Sequence, residues 1–251
     1  MMKILGINAS HKKSGGNTQM ILDHLFAGAK QNGAQFEVIR LADCDIRQCI
    51  ACDSCQKRND YGCIHDEKDD FIKVLRKFSD FDIVIYATPI YIFQMASKLK
   101  VFLERIYSRG KSNVRTFTNS NLLFHDIDRS LLCKPFVSLI TSSNIEREST
   151  LNVEEYFKIF SRFMDAPHVG SIVRNGCSML FNKDCNTIQN THMNEVLKNI
   201  QEAGKHLASR GFISKRLEHR ISGNVLPIPQ AIFKLLKKTS IGRAKILEKA
   251  I

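Results

Sequence analysis

The strongest constraint on this chain is an alternation of short apolar runs, shaped like strands buried on both faces, with segments of helical periodicity. Lys3-Ile4-Leu5-Gly6-Ile7-Asn8 is the first run. The loop Ala9 to Gly16 leads to a helix that Asn17 can cap, with Met20, Ile21, Leu25 and Ala29 at helical spacing and Gly33 as its stop. Residues 36–41 read as a second strand, 68–79 as a second helix, 82–87 as the clearest strand and 96–108 as a third helix. Residues 135–141 form a fourth strand, and 153–164 a helix. A fifth strand lies near 168–174, and a long helix over 190–209 ends at Gly211. Consecutive β-then-α units predict an α/β fold with a doubly wound, five-stranded parallel sheet, covered by helices on both faces through right-handed crossovers. Ligands in such sheets bind beyond the C-terminal strand ends, at the topological switch point.

Two stretches break the alternation, a Cys-rich excursion over 44–66 and a polar, irregular insertion or lid over 111–133. At 251 residues the chain suits one such domain, expected over 1–210, with an appendage over 211–251. The appendage holds nine Lys or Arg against two Glu. Ile232, Phe233, Leu235, Leu236, Ile246 and Leu247 form an amphipathic pattern over 230–251 that Gly242 is expected to break in two. Packing on the domain or a sister subunit is the plain reading of this extension; an acidic protein or an anionic membrane surface is the other. The whole chain carries a formal +12, which favours an acidic partner by electrostatic steering. No nucleic-acid motif accompanies the charge, so a nucleic-acid partner is not expected.

The start of the chain lacks the apolar core and cleavage site of a secretory signal. The most apolar stretch, 83–96, contains Pro89 and is too short to span a membrane. A cytoplasmic location is therefore expected, where cysteines bind metals or act in redox chemistry more often than they form disulfides.

The loop after the first strand, Ser10-His11-Lys12-Lys13-Ser14-Gly15-Gly16-Asn17-Thr18, has the make-up of an anion cradle. Amides at a helix N-terminus face the ligand and the helix dipole favours negative charge. Gly15 and Gly16 allow close backbone approach, the hydroxyls of Ser10 and Thr18 can donate, and Lys12 adds charge. After the third strand, Pro89 locks φ and presents Ile90, Tyr91, Ile92 and Phe93 at the switch point, a surface suited to a flat, partly apolar ring. The alternative is that Tyr91, Ile92 and Phe93 are core.

Cys49, Cys52 and Cys55, followed after seven residues by Cys63, form the most specific motif. Three thiols at intervals of three match ligands spread over separate corners of a cubane cluster. Zinc more often draws on two Cys-x₂-Cys pairs set further apart, because four sulfurs must crowd one ion. The spacing favours a [4Fe–4S] cluster, with zinc and free thiols as the alternatives. Cys44, Cys133, Cys177 and Cys185 lack such spacing and read as structural or surface thiols. Asp66, Glu67, Asp69 and Asp70 read as helix-capping and dipole residues. The eight His residues form no metal-binding or nucleophile–base pattern, and no general acid, base or nucleophile is expected.

Ser10-x-Lys12 with Gly16-Asn17-Thr18 resembles the phosphate loop of the NAD(P)H-dependent FMN reductases of the flavodoxin-like superfamily. Thr88-Pro89-Ile90-Tyr91-Ile92-Phe93 resembles the same family's second flavin loop, and residues 98–105 resemble its next helix. The resemblance covers about residues 3–210. It implies a flavodoxin-like sheet and bound FMN, with Thr141 and Ser142 in a third flavin loop. Within that family, the compact four-cysteine set resembles the iron–sulfur flavoprotein branch. The implied function is electron transfer between FMN and a [4Fe–4S] cluster; the alternative is a cluster-free enzyme that takes hydride from NAD(P)H and reduces flavins or quinones. A homodimer or homotetramer is expected, with a small molecule or an acidic carrier such as ferredoxin as redox partner.

Overall fold

The computed structural model describes residues 1–58, 60–180, 187–223, 225 and 230–250. Its main sheet uses β1 (Lys3–Asn8), β2 (Gln35–Arg40) and β3 (Ile83–Tyr91), with β4 (Gln94–Met95) folding back on β3. β5 (Gly110–Phe117) and β6 (Leu123–Ile127) form a separate antiparallel hairpin, and β7 (Phe136–Thr141) and β8 (His168–Arg174) return to the sheet. The order β2-β1-β3-β7-β8 is parallel throughout, which is the predicted doubly wound, flavodoxin-like arrangement. Its switch point lies between β1 and β3.

The helices are α1 (Asn17–Gln31), α2 (Phe71–Arg76), α3 (Ser97–Arg105), α4 (Arg129–Leu132), α5 (Leu151–Met164), α6 (Cys177–Leu180), α7 (Thr187–Arg210), α8 (Lys215–Ile221), α9 (Gln230–Leu236) and α10 (Ser240–Ala250). Residues alternate along each central strand between two apolar layers. One layer joins Leu5, Ile7, Val84 and Phe136 to Phe71 of α2, Phe102 of α3 and Phe157 of α5. The other joins Ile4, Ile85 and Leu139 to Leu25 of α1 and Ile200 of α7. Ile213, Leu217 and Ile221 are buried in that second layer too, so packing on the sheet continues past Arg210 through α8.

The structure amends several sequence-based expectations. The stretch 111–133 is a hairpin and a short helix, not an irregular lid. Its polar strands escape a period-2 reading because β5 packs on the Cys-rich loop, while β6 turns Phe124 and Ile127 toward the core. The expected third helix closes at Arg105 and tightens into a 3₁₀ turn over Ile106–Arg109. In the extension, helix is interrupted at 237–239, and Gly242 lies inside α10. Cys185 lies outside the described residues. No helix among the described residues is long and apolar enough to cross a membrane.

α1 and α7 cross at two glycines. A Cβ on Gly204 would sit 1.9 Å from the Leu25 carbonyl oxygen, and one on Gly28 would sit 1.8 Å from that of Gln201. Neither obstacle is a flexible side chain, so any substituent drives the helices apart. Gly204→Ala is expected to cost about 2–3 kcal/mol despite its better helix propensity, measured as a lower urea midpoint at unchanged m-value.

Candidate functional site

The loop after β1 crosses the switch point under several local restraints. Ala9 N–H bonds the Ala87 carbonyl of β3 at 2.9 Å, and Asn8 Oδ1 accepts from Ser10 N–H at 2.9 Å. Ser10 Oγ accepts from Lys12 N–H at 3.3 Å. Arg40, at the end of β2, donates to the carbonyl oxygens of Lys12 and Lys13. Drawing those oxygens aside leaves the loop's amide side free and brings a fixed cation beneath it. Gly15 takes φ +64°, and a Cβ on Gly16 would press Ser10 Oγ and Lys12 at 3.3 Å. Gly16 is the N-cap of α1. No side chain caps that terminus and no acidic residue occupies its first turn. The first-turn amides, which no helical carbonyl can reach, therefore face the crevice as anion donors.

Among the sequence-selected residues, Ser10 and Thr18 are buried, Asn17 is half-buried, and Lys12 and Gly15 are exposed. The Thr18 hydroxyl is 2.8 Å from that of Thr141, tying α1 to the end of β7. Ser142 is bonded through its backbone to Arg174 and Cys177 and through its hydroxyl to Ser149 at 3.2 Å. Thr141 and Ser142 are buried and thus shape the third loop from within.

β3 outruns its neighbours and turns back as a two-residue hairpin, with Tyr91 opposite Gln94. Both turn residues are left-handed, Ile92 at φ 46° and Phe93 at φ 61°. Asn and Gly ordinarily take such positions; a β-branched residue there is a genuine outlier. The two side chains are 90% and 61% exposed, so they are not core. Thr88 braces the arm by accepting from Ala96 N–H and donating to the Pro89 carbonyl, both at 2.9 Å, and Asn152 donates to the Phe93 carbonyl. A strained, solvent-facing apolar tip beside an open set of amides marks a ligand surface.

Sequence reasoning passed over two residues here. His11 sets its ring 4.9 Å from that of Tyr91 and its Nε2 3.2 Å from Ser97 Oγ at the start of α3, joining the first loop to the second. The other is Arg40, whose only sequence signal is a cation ending the strand beside β1.

At the opposite end of α3, Cys49, Cys52, Cys55 and Cys63 all line one pocket of about 20 Å³, together with His65, Arg105 and Tyr107. Cys52 is exposed, and hydrogen bonding from Ser54 holds its thiol below the usual range. Ala51 and Asp53, on either side of it, are left-handed at φ 51° and 52°. Among the described residues, no three His, Cys, Asp or Glu side chains converge as for a single metal ion. Cys44, Cys133 and Cys177 lie outside the pocket, and burial raises each thiol, Cys177 to about 12.

The acidic residues after Cys63 do more than cap. Asp66 accepts from Cys63 N–H at 2.8 Å and pairs with Arg105 at 3.3 Å and with Arg109. Asp69 pairs with Arg105 and accepts from Arg47 N–H and Phe71 N–H, each at 3.1 Å; only the last bond is a cap. Asp70, the N-cap of α2, makes no side-chain cap bond.

A family model described as NADPH-dependent FMN reductase matches residues 2–174. The chain belongs to that family of flavin-dependent oxidoreductases. An iron-sulfur flavoprotein of Archaeoglobus fulgidus is 33% identical over 114 residues, 45% of this chain and 53% of the relative. One from Methanosarcina thermophila is 30% identical over 104 residues, 41% of this chain and 52% of the relative. The chain thus matches about half the length of these curated relatives. Among solved structures, an FMN-dependent NADH-azoreductase from Bacillus anthracis covers 83% of this chain and 100% of its own, with TM-score 0.58 and 17% identity. An NAD(P)H:quinone oxidoreductase from Methanothermobacter marburgensis covers 82% and 96%, with TM-score 0.55 and 14% identity. These likenesses establish the fold.

The strain at the β3–β4 tip generates a test. Replacing Ile92-Phe93 by Asn-Gly relieves two left-handed non-glycine residues, at roughly 1–2 kcal/mol each. The FMN-free double variant is expected to unfold at higher urea, while its flavin affinity, followed by fluorescence quenching, falls at least about tenfold.

Proposed function

We propose that the protein is an FMN-dependent oxidoreductase in which electrons pass between FMN at the switch point and a [4Fe–4S] cluster held by Cys49, Cys52, Cys55 and Cys63. One observation carries the pairing. α3 begins against the first loop through Ser97 and His11 and ends at the cysteine pocket through Arg105. Its nine residues set the ends roughly 13 Å apart at about 1.5 Å per residue.

Within this reading, the amides of 14–18 and the cation of Lys12 bind the flavin phosphate, with Arg40 holding the loop carbonyls out of the way. Gly16 admits the close approach. Pro89, Ile90, Tyr91, Ile92 and Phe93 give the ring its apolar seat, and the buried Thr141 and Ser142 fix the third wall. FMN, when bound, supplies an exchange between two-electron and one-electron chemistry. The residues around it bind, orient and exclude water, and no side chain of this chain is assigned a proton-transfer step.

The cysteine pocket suits the cluster in its donors: four thiols from one loop line a single recess, and hydrogen bonding from Ser54 lowers the Cys52 thiol below its usual range. The spacing of the four cysteines fits a cubane's separated corners better than it fits zinc. The description of the matching family, NADPH-dependent FMN reductase, favours the second reading, a cluster-free NAD(P)H-dependent FMN or quinone reductase. We take the redox partner to be a small molecule or an acidic carrier, and the protein to assemble as a homodimer or homotetramer.

Anaerobic purification followed by flavin, iron, zinc and sulfide analysis separates the readings. The first expects FMN plus iron and sulfide; flavin without iron, bleached rapidly by NADPH, leaves the second. Cys52→Ala is expected to abolish the iron and the broad visible absorption of the cluster while FMN stays bound. Loss of both cofactors together contradicts two separate sites.

A further inference from the structure

The Tyr91 ring, part of the apolar seat at the switch point, has little of its own to hold it. It is 38% exposed, on the arm that runs into the left-handed turn at Ile92 and Phe93. Thr88 and Asn152 brace the backbone of that arm, not this side chain. Among the described residues its hydroxyl has no hydrogen-bond partner. Its one ring contact there is the imidazole of His11, 4.9 Å away between centroids and tilted by 39°.

His11 is in turn fixed from a third element. Its Nε2 lies 3.2 Å from the hydroxyl of Ser97, the first residue of α3, and this is its side chain's one hydrogen bond among the described residues. The helix is a firm reference, because Leu99 and Phe102 are fully buried and Ala96 N–H, just before it, bonds Thr88 of the arm. The imidazole thus stands between the loop after β1, the arm and the start of α3.

A histidine in an anion-binding loop would ordinarily be read as a phosphate ligand. Here the ring is set against Tyr91 and one of its nitrogens is spent on Ser97, while the uncapped amides of α1 already offer donors to an anion. An exposed tyrosine loses rotamer freedom when a ligand stacks on it. A neighbouring ring that holds it beforehand removes that cost from binding. Tilted aromatic pairs at this spacing attract weakly, which suits such a brace.

We infer that His11 is a positioning residue of the flavin seat: held by Ser97, its imidazole fixes the Tyr91 ring in the orientation that receives the isoalloxazine. The inference rests on FMN binding at the switch point and is the same with or without a cluster. It lets one loop serve both ends of the ligand, the phosphate through its amides and the ring through His11.

The test is a double-mutant cycle on FMN affinity with parent, His11→Ala, Tyr91→Ala and the double variant, followed by flavin fluorescence at one pH. His11→Ala is expected to weaken FMN about three- to tenfold in the parent and to cost nothing further once Tyr91 is replaced. Riboflavin, which lacks the phosphate, is expected to lose the same factor. The emission of fully bound FMN, quenched by a stacked tyrosine, is expected to rise in His11→Ala and not between Tyr91→Ala and the double variant. Losses that add independently overturn the inference, as does a loss confined to FMN, which makes His11 a phosphate ligand. Unchanged affinity or unchanged bound emission in His11→Ala overturns it too. A parent that binds neither flavin overturns the switch-point reading itself. Should His11→Ala fail to fold, the cycle is run with Ser97→Ala, expected to weaken FMN in the parent and not beside Tyr91→Ala; no loss in the parent sinks the proposal.

Discussion

A single buried guanidinium holds together the least regular part of this molecule. Between the end of β2 at Arg40 and the start of α2 at Phe71, the only helical turns among the described residues are short 3₁₀ pieces at Leu41–Asp43 and Ser54–Lys57. A segment that long with so few ladder bonds cannot fix its own shape, because each ordered residue loses roughly 1–2 kcal/mol of conformational freedom. Arg105 supplies much of the missing restraint. It reaches the Arg47 carbonyl at 3.0 Å, Asp66 and Asp69, and stacks its guanidinium 4.7 Å over Phe71. Both ends of the Cys-rich loop are thereby tied to the last turn of α3. Removing either side of such a pair would strand a buried charge, at a cost of about 3–5 kcal/mol.

Legibility in the sequence followed the range of the forces involved. The five parallel strands could be read because burial on both faces makes each an unbroken apolar run, as in Ile83-Val84-Ile85. The glycine loop and the Pro89 arm were legible because they combine a local backbone requirement with a fixed place after a strand. The hairpin of 110–127 was not. Its stability comes from partners far along the chain, such as Gln56 and Tyr61, and polar side chains meeting polar side chains leave no periodic trace. Asp66 and Asp69 were misjudged for a similar reason. Acidic residues before a helix are ordinarily caps, and only the fold brings Arg105 and Arg109 against them. Gly242 misled in the opposite way, since a glycine is tolerated within a helix at about 1 kcal/mol relative to Ala.

The candidate sites differ in how they store their readiness for a ligand. At the switch point it lies in the backbone: uncapped amides at the start of α1, Gly15 at φ +64°, and Ile92 and Phe93 held left-handed by the bracing of Thr88 and Asn152. At the cysteine pocket it lies in charge, with Arg105 and Arg109 paired to Asp66 and Asp69 on one wall and the Asp53 carboxylate among the lining residues. Strain of the first kind is relieved locally by a single turn substitution. Electrostatic readiness is spread over α3, the 3₁₀ turn after it and the loop, and no single local sequence window contains it.

This difference bears on how the two sites depend on each other. Among the described residues, none of the hydrogen bonds that shape the Cys-rich loop is made by a side chain of the switch-point crevice, and the loop's anchors, Arg105, Gln56 and Lys111, are not thiols. The pocket therefore has a fold-based scaffold that does not require metal to form, unlike a small zinc module whose stability is its metal affinity. A chain built this way can lose or gain cysteines in this loop without losing the crevice at the switch point. What the two sites share is α3, which carries His11's partner Ser97 at one end and Arg105 at the other. A helix packed rigidly through Leu99 and Phe102 fixes their separation, so any exchange between them proceeds at a distance set by the fold and not by loop motion.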